Sequence, residues 1–291
     1  MVESELKDPR LVVAAYFSLL RDLGCHHVDL LPGWKKQIER IGEVQSTSER
    51  ISKVQEPSMT YQSQSEEVPL SPASSQEVKR EALSREEKQL ALEEIRTELE
   101  ADQSCREMFQ YAKQMVFGVG AVEAKLVFIG EAPGVDEDEE GEPFVGKAGQ
   151  LLTKMIQAMG LQREDVYITN VVKYRPDMPP GSKGNRKPTA EEMEAFRPYL
   201  MKQLEVIQPH ALVALGATAV EGLLEIPKAG ITSMRGNWKE VMGIPLMPTF
   251  HPAYILRNQG LSEKRKVWED LLAVMEKIEL PVSEKQRNYF L

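Results

Sequence analysis

Cysteine is scarce in this chain: Cys25 and Cys105 are the two thiols among 291 residues. Two thiols so far apart build no disulfide framework and lack metal-site spacing, which points to a reducing, cytoplasmic setting. No apolar run approaches the roughly 18 residues needed to span a bilayer. The mixed charges of residues 1–10, and Arg21-Asp22 breaking the apolar stretch behind them, read as an amphipathic helix rather than a secretory signal. Positive charge is also in short supply, with a net charge of −9. That argues against a strongly electrostatic nucleic-acid binder, although distribution matters more than the sum. Roughly two thirds of the acidic excess precedes residue 101. Basic residues gather later, at Lys183, Arg186 and Lys187, then at Arg257, Lys264, Arg265 and Lys266.

Five zones follow from pattern and composition. Residues 1–42 form a helical segment in which Leu11, Val12, Ala15, Leu19 and Leu20 share one face. Residues 43–83 are rich in Ser, Gln, Glu and Pro and read as a disordered linker, with too few aliphatics to offset ordering entropy. Residues 84–115 start a helical lead-in, where Ser84 followed by Glu87 is a capping-box signature. Residues 116–280 form the globular domain, and residues 281–291 a frayed tail. Within the domain, strands are expected at 125–129 (KLVFI), 166–172 (VYITNVV), 211–215 (ALVAL) and 244–249, with helices at 148–159, 190–207, from 217 and at 263–278. Strand–helix alternation of this kind predicts an α/β fold: a central parallel four-stranded sheet with helices on both faces, plus the helical N-terminal extension. Sites in such sheets gather at the carboxyl ends of the strands. The three unusual loops, at 130–134, 170–175 and 251–257, all fall there.

Each loop alone has two readings. In Gly130-Glu131-Ala132-Pro133-Gly134 the glycines permit a tight turn, and Glu131 is either a solvated turn residue or a carboxylate held toward a pocket. The loop lacks the G-x-G-x-x-G spacing of a dinucleotide fingerprint. Phe144, amid prolines and glycines in GEPFVGKAG, packs somewhere or presents its ring to a planar ligand. Asn170, at a strand end, satisfies a turn or reads the edge of a base with its donors and acceptor. His251-Pro252 precedes Ala253-Tyr254-Ile255-Leu256-Arg257, a stretch able to insert apolar atoms into a duplex while Arg257 meets a phosphate.

The motifs taken together are far more specific. GEAPG, GEPFVGKAGQLL, YITNVVKYRP with NRKPT, LGATA and PTFHPAYILRN, in that order, closely resemble family 4 of the uracil-DNA glycosylase superfamily, over about residues 116–270. The resemblance implies an enzyme of base excision repair that removes uracil from DNA and leaves an abasic site. It implies Glu131 and His251 as catalytic residues: Glu131 orients water or stabilises the cationic sugar, and His251 donates to uracil O2. Gly130, Ala132, Glu137, Phe144 and Asn170 would form the uracil pocket, with Phe144 stacking, Asn170 reading the base edge and Glu137 crowding C5 against thymine. Lys187, Tyr254, Leu256 and Arg257 would meet DNA. The implied partner is uracil-containing DNA, met by a monomer with no membrane association. The rival readings are a catalytically inactive uracil-DNA or DNA-binding module and an unrelated nucleotide-binding enzyme.

The chain departs from the family in one respect. Members resemble one another in carrying a [4Fe–4S] cluster held by four cysteines, yet Tyr174 and Phe196 stand at two of those positions, and Cys105 is the nearest remnant upstream. Tyr and Phe do not replace thiolates. The expectation is no cluster and no metal, an apolar plug of Tyr174, Phe196 and Met108 or Phe109, and an inert buried Cys105. A relative that bonds covalently to uracil-DNA uses a His after the Asn strand; the lengthened segment PDMPPGSKGNRKPT contains none. The ending Gln286-Arg287-Asn288-Tyr289-Phe290-Leu291 is similar to peptides that dock on sliding clamps, with Tyr289 in place of an aliphatic residue.

Overall fold

The computed structural model describes residues 83–179, 181–182 and 184–291. The helical segment and most of the linker expected over residues 1–83, and Lys183, lie outside the described residues. Helix α1 (Arg85–Ala101) opens with the expected reciprocal cap: Ser84 Oγ accepts from Glu87 N, and Glu87 accepts from Ser84 N at 2.7 Å. Its buried face, Leu92, Ile95 and Leu99, belongs to the same apolar cluster as helix α5 (Ala190–Ile207). Lys88 donates to the Ile207 carbonyl at the carboxyl end of α5, a favourable place for a cation. The lead-in is therefore integral to the domain.

After the short α2 (Gln103–Glu107) come β1 (Val119–Gly120), β2 (Leu126–Gly130), α3 (Val135–Glu140), α4 (Lys147–Ala158) and β3 (Tyr167–Asn170). Beyond α5 lie β4 (Ala211–Leu215), α6 (Ala217–Leu224), α7 (Ile231–Met234), β5 (Lys239–Val241), β6 (Ile244–Thr249), α8 (Pro252–Arg257), α9 (Leu261–Lys277) and α10 (Glu284–Arg287). The sheet order is β1-β3-β2-β4-β6-β5. Its four central strands are parallel, as the alternation predicts. The antiparallel edges β1 and β5 escaped the sequence reading. At two and three residues they are too short to carry a period-2 signal.

The strands divide two cores by strict alternation. Leu126 and Phe128 of β2, with Ala211, Val213 and Leu215 of β4, face Leu152, Ile156, Leu271 and Val274 of α4 and α9. Val127, Ile129, Leu212 and Ala214 face Leu200, Leu204 and Val220 of α5 and α6. Such wholly buried strands suit a parallel sheet covered on both faces.

Two further segments differ from expectation. The acidic run around Glu137, for which no helix was predicted, is helix α3, and the stretch after His251 is helix α8. The tail is docked rather than frayed. Gln286 Nε2 donates to the Ala158 carbonyl, Trp268 Nε1 donates to the Gln286 carbonyl, and the Tyr289 ring sits 5.1 Å from that of Trp268. Gln286 and Tyr289, two residues of the clamp-like peptide, are thus engaged by the domain itself. Among the described residues no helix is long and apolar enough to cross a membrane.

Candidate active site at the carboxyl ends of the strands

The parallel register pairs Gly130, last residue of β2, with Asn170, last residue of β3. A Cβ built on Gly130 would lie 2.3 Å from Asn170 Oδ1 and 2.5 Å from Phe144 Cζ. Glycine is required here because three segments converge on one point. Phe144 is held with φ 56° and is only 6% exposed, so its ring is less free than its glycine-rich surroundings suggested. It forms a wall, stacked against the His251 ring at 5.6 Å and 30°. Gly149, in the first turn of α4, accommodates this loop, since a Cβ there would lie 1.7 Å from the Phe144 carbonyl oxygen.

Glu137 fastens the site. Its Oε2 accepts from Gly134 N at 3.0 Å, and its Oε1 accepts from Val145 N and Gly146 N, each at 3.1 Å. One carboxylate thereby ties the loop after β2 to the residues following Phe144. Arg163 braces the other side of Phe144 through a hydrogen bond to the Pro143 carbonyl. Glu137, expected to project at a base, is engaged through both oxygens with backbone N–H groups.

His251 occupies the N-cap of α8, where its Nδ1 accepts from Ala253 N at 3.1 Å. An accepting Nδ1 is unprotonated, which places the ring proton on Nε2. Burial, aided by the Arg257 charge, pushes its pKa down to about 4. The imidazole is therefore neutral at physiological pH and carries one Nε2–H donor. Gly216, at the end of β4, lets this residue approach, since a Cβ there would lie 3.1 Å from His251 Cβ.

Glu131 is half-buried beside α6. Burial raises its pKa, while a hydrogen bond from the Thr218 hydroxyl and the charge of Lys187 oppose the rise. Lys187, expected at DNA, instead ion-pairs with buried Glu221, whose second oxygen accepts from Ala229 N at 3.0 Å. Sequence reasoning assigned Thr218 and Glu221 no part; Thr218 does lie inside the quoted LGATA motif. Ala132 is half-buried against the core on the α5 side. On α8, Tyr254 stacks on Phe250 at 4.5 Å and donates to Glu263, while Leu256 (37% exposed) and Arg257 stay at the surface.

Away from the site, Phe109, Tyr174 and Phe196 form an aromatic trio with centroids 5.5, 5.8 and 6.0 Å apart. Phe109, not the half-exposed Met108, is the third member. Arg106 lies over the Tyr174 ring at 5.1 Å and donates to the Phe109 and Ala112 carbonyls. Cys105 is buried, with its thiol pushed up to about 12 by burial and by Asp102. The chemistry of this space is that of a packed core: three rings with no thiolate among them, and one thiol kept protonated by burial. Among the described residues no group of three or more His, Cys, Asp or Glu side chains is placed to hold a metal ion.

Comparison with known proteins agrees with this geometry. The family description "Uracil DNA glycosylase superfamily" matches residues 117–272, which include every site residue named above. The chain is 46% identical to a type-4 uracil-DNA glycosylase of Thermotoga maritima, over 54% of this chain and 79% of that protein. It is 41% identical to one of Archaeoglobus fulgidus, over 60% and 87%. Similarity to a type-5 uracil-DNA glycosylase of Pyrobaculum aerophilum is lower, at 30% over 48% and 66%. On this coverage and identity, the chain belongs to the uracil-DNA glycosylase superfamily, in its type-4 family.

Proposed function

We propose that this protein is a monofunctional uracil-DNA glycosylase, which extrudes uracil from DNA and hydrolyses its N-glycosidic bond. The bond is out of reach inside the stack, so the base must be flipped into a pocket. The observation that carries the reading is the convergence of Phe144 and Asn170 on Gly130, with His251 facing Phe144. Phe144 stacks on the extruded base. The Asn170 amide pairs with its O4 and N3–H and rejects cytosine, where the donor and acceptor order is reversed. As the bond from C1′ to N1 breaks, N1 keeps the electron pair, and the Nε2–H of neutral His251 stabilises the resulting anion through O2. Glu131 supports the cationic sugar and orients the water whose oxygen attaches to C1′ and whose proton is released, balancing the proton that the uracil anion takes up. Leu256 and Arg257 contact the strand. Of the described lysines, Lys173 is fully engaged in the core and Lys187 is paired with Glu221, so neither offers a free amine for a Schiff-base lyase step.

The test is incubation with a labelled uracil-containing oligonucleotide, followed by alkaline cleavage of abasic sites. Strand scission that depends on uracil supports the enzyme; binding without scission replaces it with a binding module.

We propose in addition that the protein works without an iron–sulfur cluster. The packed trio of Phe109, Tyr174 and Phe196, capped by Arg106, supports this reading. Protein purified anaerobically is expected to be colourless and iron-free. A brown chromophore with about four irons per chain would overturn it.

A further inference from the structure

Lys173 is fully buried, three residues beyond Asn170 and on the core side of the strand end. Its Nζ has three partners: Thr169 Oγ1 at 2.6 Å, the Asn170 carbonyl at 2.7 Å and Gln203 Oε1 at 2.6 Å. Each partner is committed as an acceptor. The Thr169 hydroxyl uses its own hydrogen on the Phe117 carbonyl, at 2.8 Å. Gln203 presents its oxygen because its Nε2 donates to the Phe117 carbonyl and the Tyr167 hydroxyl, each at 3.2 Å. The Asn170 carbonyl can only accept. Three fixed acceptors require three N–H hydrogens, which an ammonium has and a neutral amine lacks.

Burial pulls the Lys173 pKa well down; three acceptors around Nζ are the kind of contact that favours the charged form. Among the described residues no carboxylate hydrogen-bonds or ion-pairs with it. The Phe117 ring lies 6.0 Å away, with Arg96 at 5.3 Å from the same ring, a charge of the same sign. A buried cation without a counter-charge is costly, and a packed methionine would fill the space without that cost. Its position suggests what the charge is for, because it bonds directly to the residue that reads the base.

We infer that Lys173 is a positioning residue that fixes Asn170 and adds an unpaired positive field behind the pocket, favouring the negative charge that uracil acquires as it leaves. This rests on the function proposed above. It adds a second source of leaving-group stabilisation, separate from His251 and out of contact with substrate.

The discriminating variant is Gln203→Glu, which keeps the side-chain shape and the acceptor for Lys173 but cancels its charge, with loss of the bond donated to the Phe117 carbonyl. A role confined to holding Asn170 survives this change; the field does not. Excision of uracil and of 5-fluorouracil from matched oligonucleotides separates the two, because 5-fluorouracil is the more acidic leaving group and needs less help. The variant should lose roughly ten- to a hundredfold on uracil and at least about threefold less on 5-fluorouracil. An equal loss on both bases, or none, overturns the inference. Nitrogen-15 NMR of lysine-labelled wild-type protein reads the charge without any variant and decides the matter should Gln203→Glu fail to fold. An Nζ with three attached protons at pH 7 is expected, and a two-proton amine refutes the proposal. If the wild type excises no uracil at all, the functional reading fails, while the NMR result stands independently.

Discussion

A single methyl group at Gly130 should be enough to spoil the pocket. Gly130→Ala leaves the backbone unstrained, because the φ of Gly130 lies outside the left-handed region. The added Cβ would instead lie 2.3 Å from Asn170 Oδ1 and 2.5 Å from Phe144 Cζ. Carbon contacts are most favourable near 3.5–4.0 Å, so each side chain must retreat by about 1 Å. Moving both off their rotamers costs on the order of 1–3 kcal/mol, which a domain with typical stability of about 5–15 kcal/mol survives. Catalysis is less forgiving, since a misplacement of about 1 Å can cost on the order of a hundredfold. The expected result is a folded protein with a modestly lower melting temperature and roughly hundredfold lower kcat/KM on a uracil oligonucleotide. Gly260→Ala is the control: φ is −57° and a Cβ meets nothing within 4 Å, so activity should be unchanged. Gly130→Ala activity within about threefold of wild type would mean that Asn170 and Phe144 do not form the base site.

Glu131→Gln should cut activity by roughly a hundredfold yet raise the melting temperature. Burial holds the Glu131 pKa above its ordinary 4.5, so its ionised form weakens the fold as pH rises through the folded pKa, and the amide removes that penalty. The pH–rate profile tests the same assignment. Wild-type activity should fall, on acidification, through a pKa above 4.5, whereas the residual activity of Glu131→Gln should persist until His251 protonates at about 4. Glu137→Gln should replace one accepting oxygen by an NH2 group facing a backbone donor; activity is expected to drop about tenfold with an unchanged Kd for uracil-free DNA, and a parallel loss of DNA affinity would point instead to a direct DNA contact. Phe196→Ala should destabilise the domain by about 3–5 kcal/mol in urea unfolding, because it empties the centre of the aromatic trio; a loss below about 1 kcal/mol would show that the trio does not carry the packing assigned to it.

Long periodic segments made the scaffold legible in the sequence. Helix α5 was located residue for residue by Pro188-Thr189 at its start and Pro209 beyond its end, and the strand at Ala211–Leu215 by its short apolar run. The structure brings Gly130, Phe144, Asn170 and His251 together, a grouping that the motif order and the position of these loops at strand ends had pointed to. The links among the site residues were not legible. Nothing in local sequence says that Glu137 would accept from Val145 and Gly146, or that Lys187 would turn toward Glu221, because those partners are set by how loops cross. No helix was predicted for the acidic run 136–142, whose first-turn acids sit at the helix N-terminus, where the dipole favours them. The tail read as frayed because a short polar segment has no periodicity, and its order comes from Trp268 and Ala158, far away in the chain.

An overall charge of −9 looks ill suited to expelling an anionic base, and the arrangement of the site resolves the contradiction. Glycosidic cleavage separates charge, leaving a cationic sugar and an anionic uracil, so net charge is irrelevant and polarity across the pocket is decisive. The carboxylate of Glu131 lies on the α6 side, supported by Thr218 and moderated by Lys187. In the function proposed above, the Nε2–H of His251 acts on the base, with the ammonium of Lys173 inferred behind it. Lys173 is buried and His251 half-buried, and both are held by fixed partners, so little reorganisation is needed as charge develops, which is the condition under which such dipoles and charges are most effective. The same logic explains why His251 is kept neutral. An imidazolium would carry more charge, but protonating Nδ1 would forfeit its bond from Ala253 N and loosen the start of α8. A neutral donor in a fixed orientation, backed by the charge inferred for Lys173 outside the pocket, preserves both the helix cap and the polarity that the reaction requires.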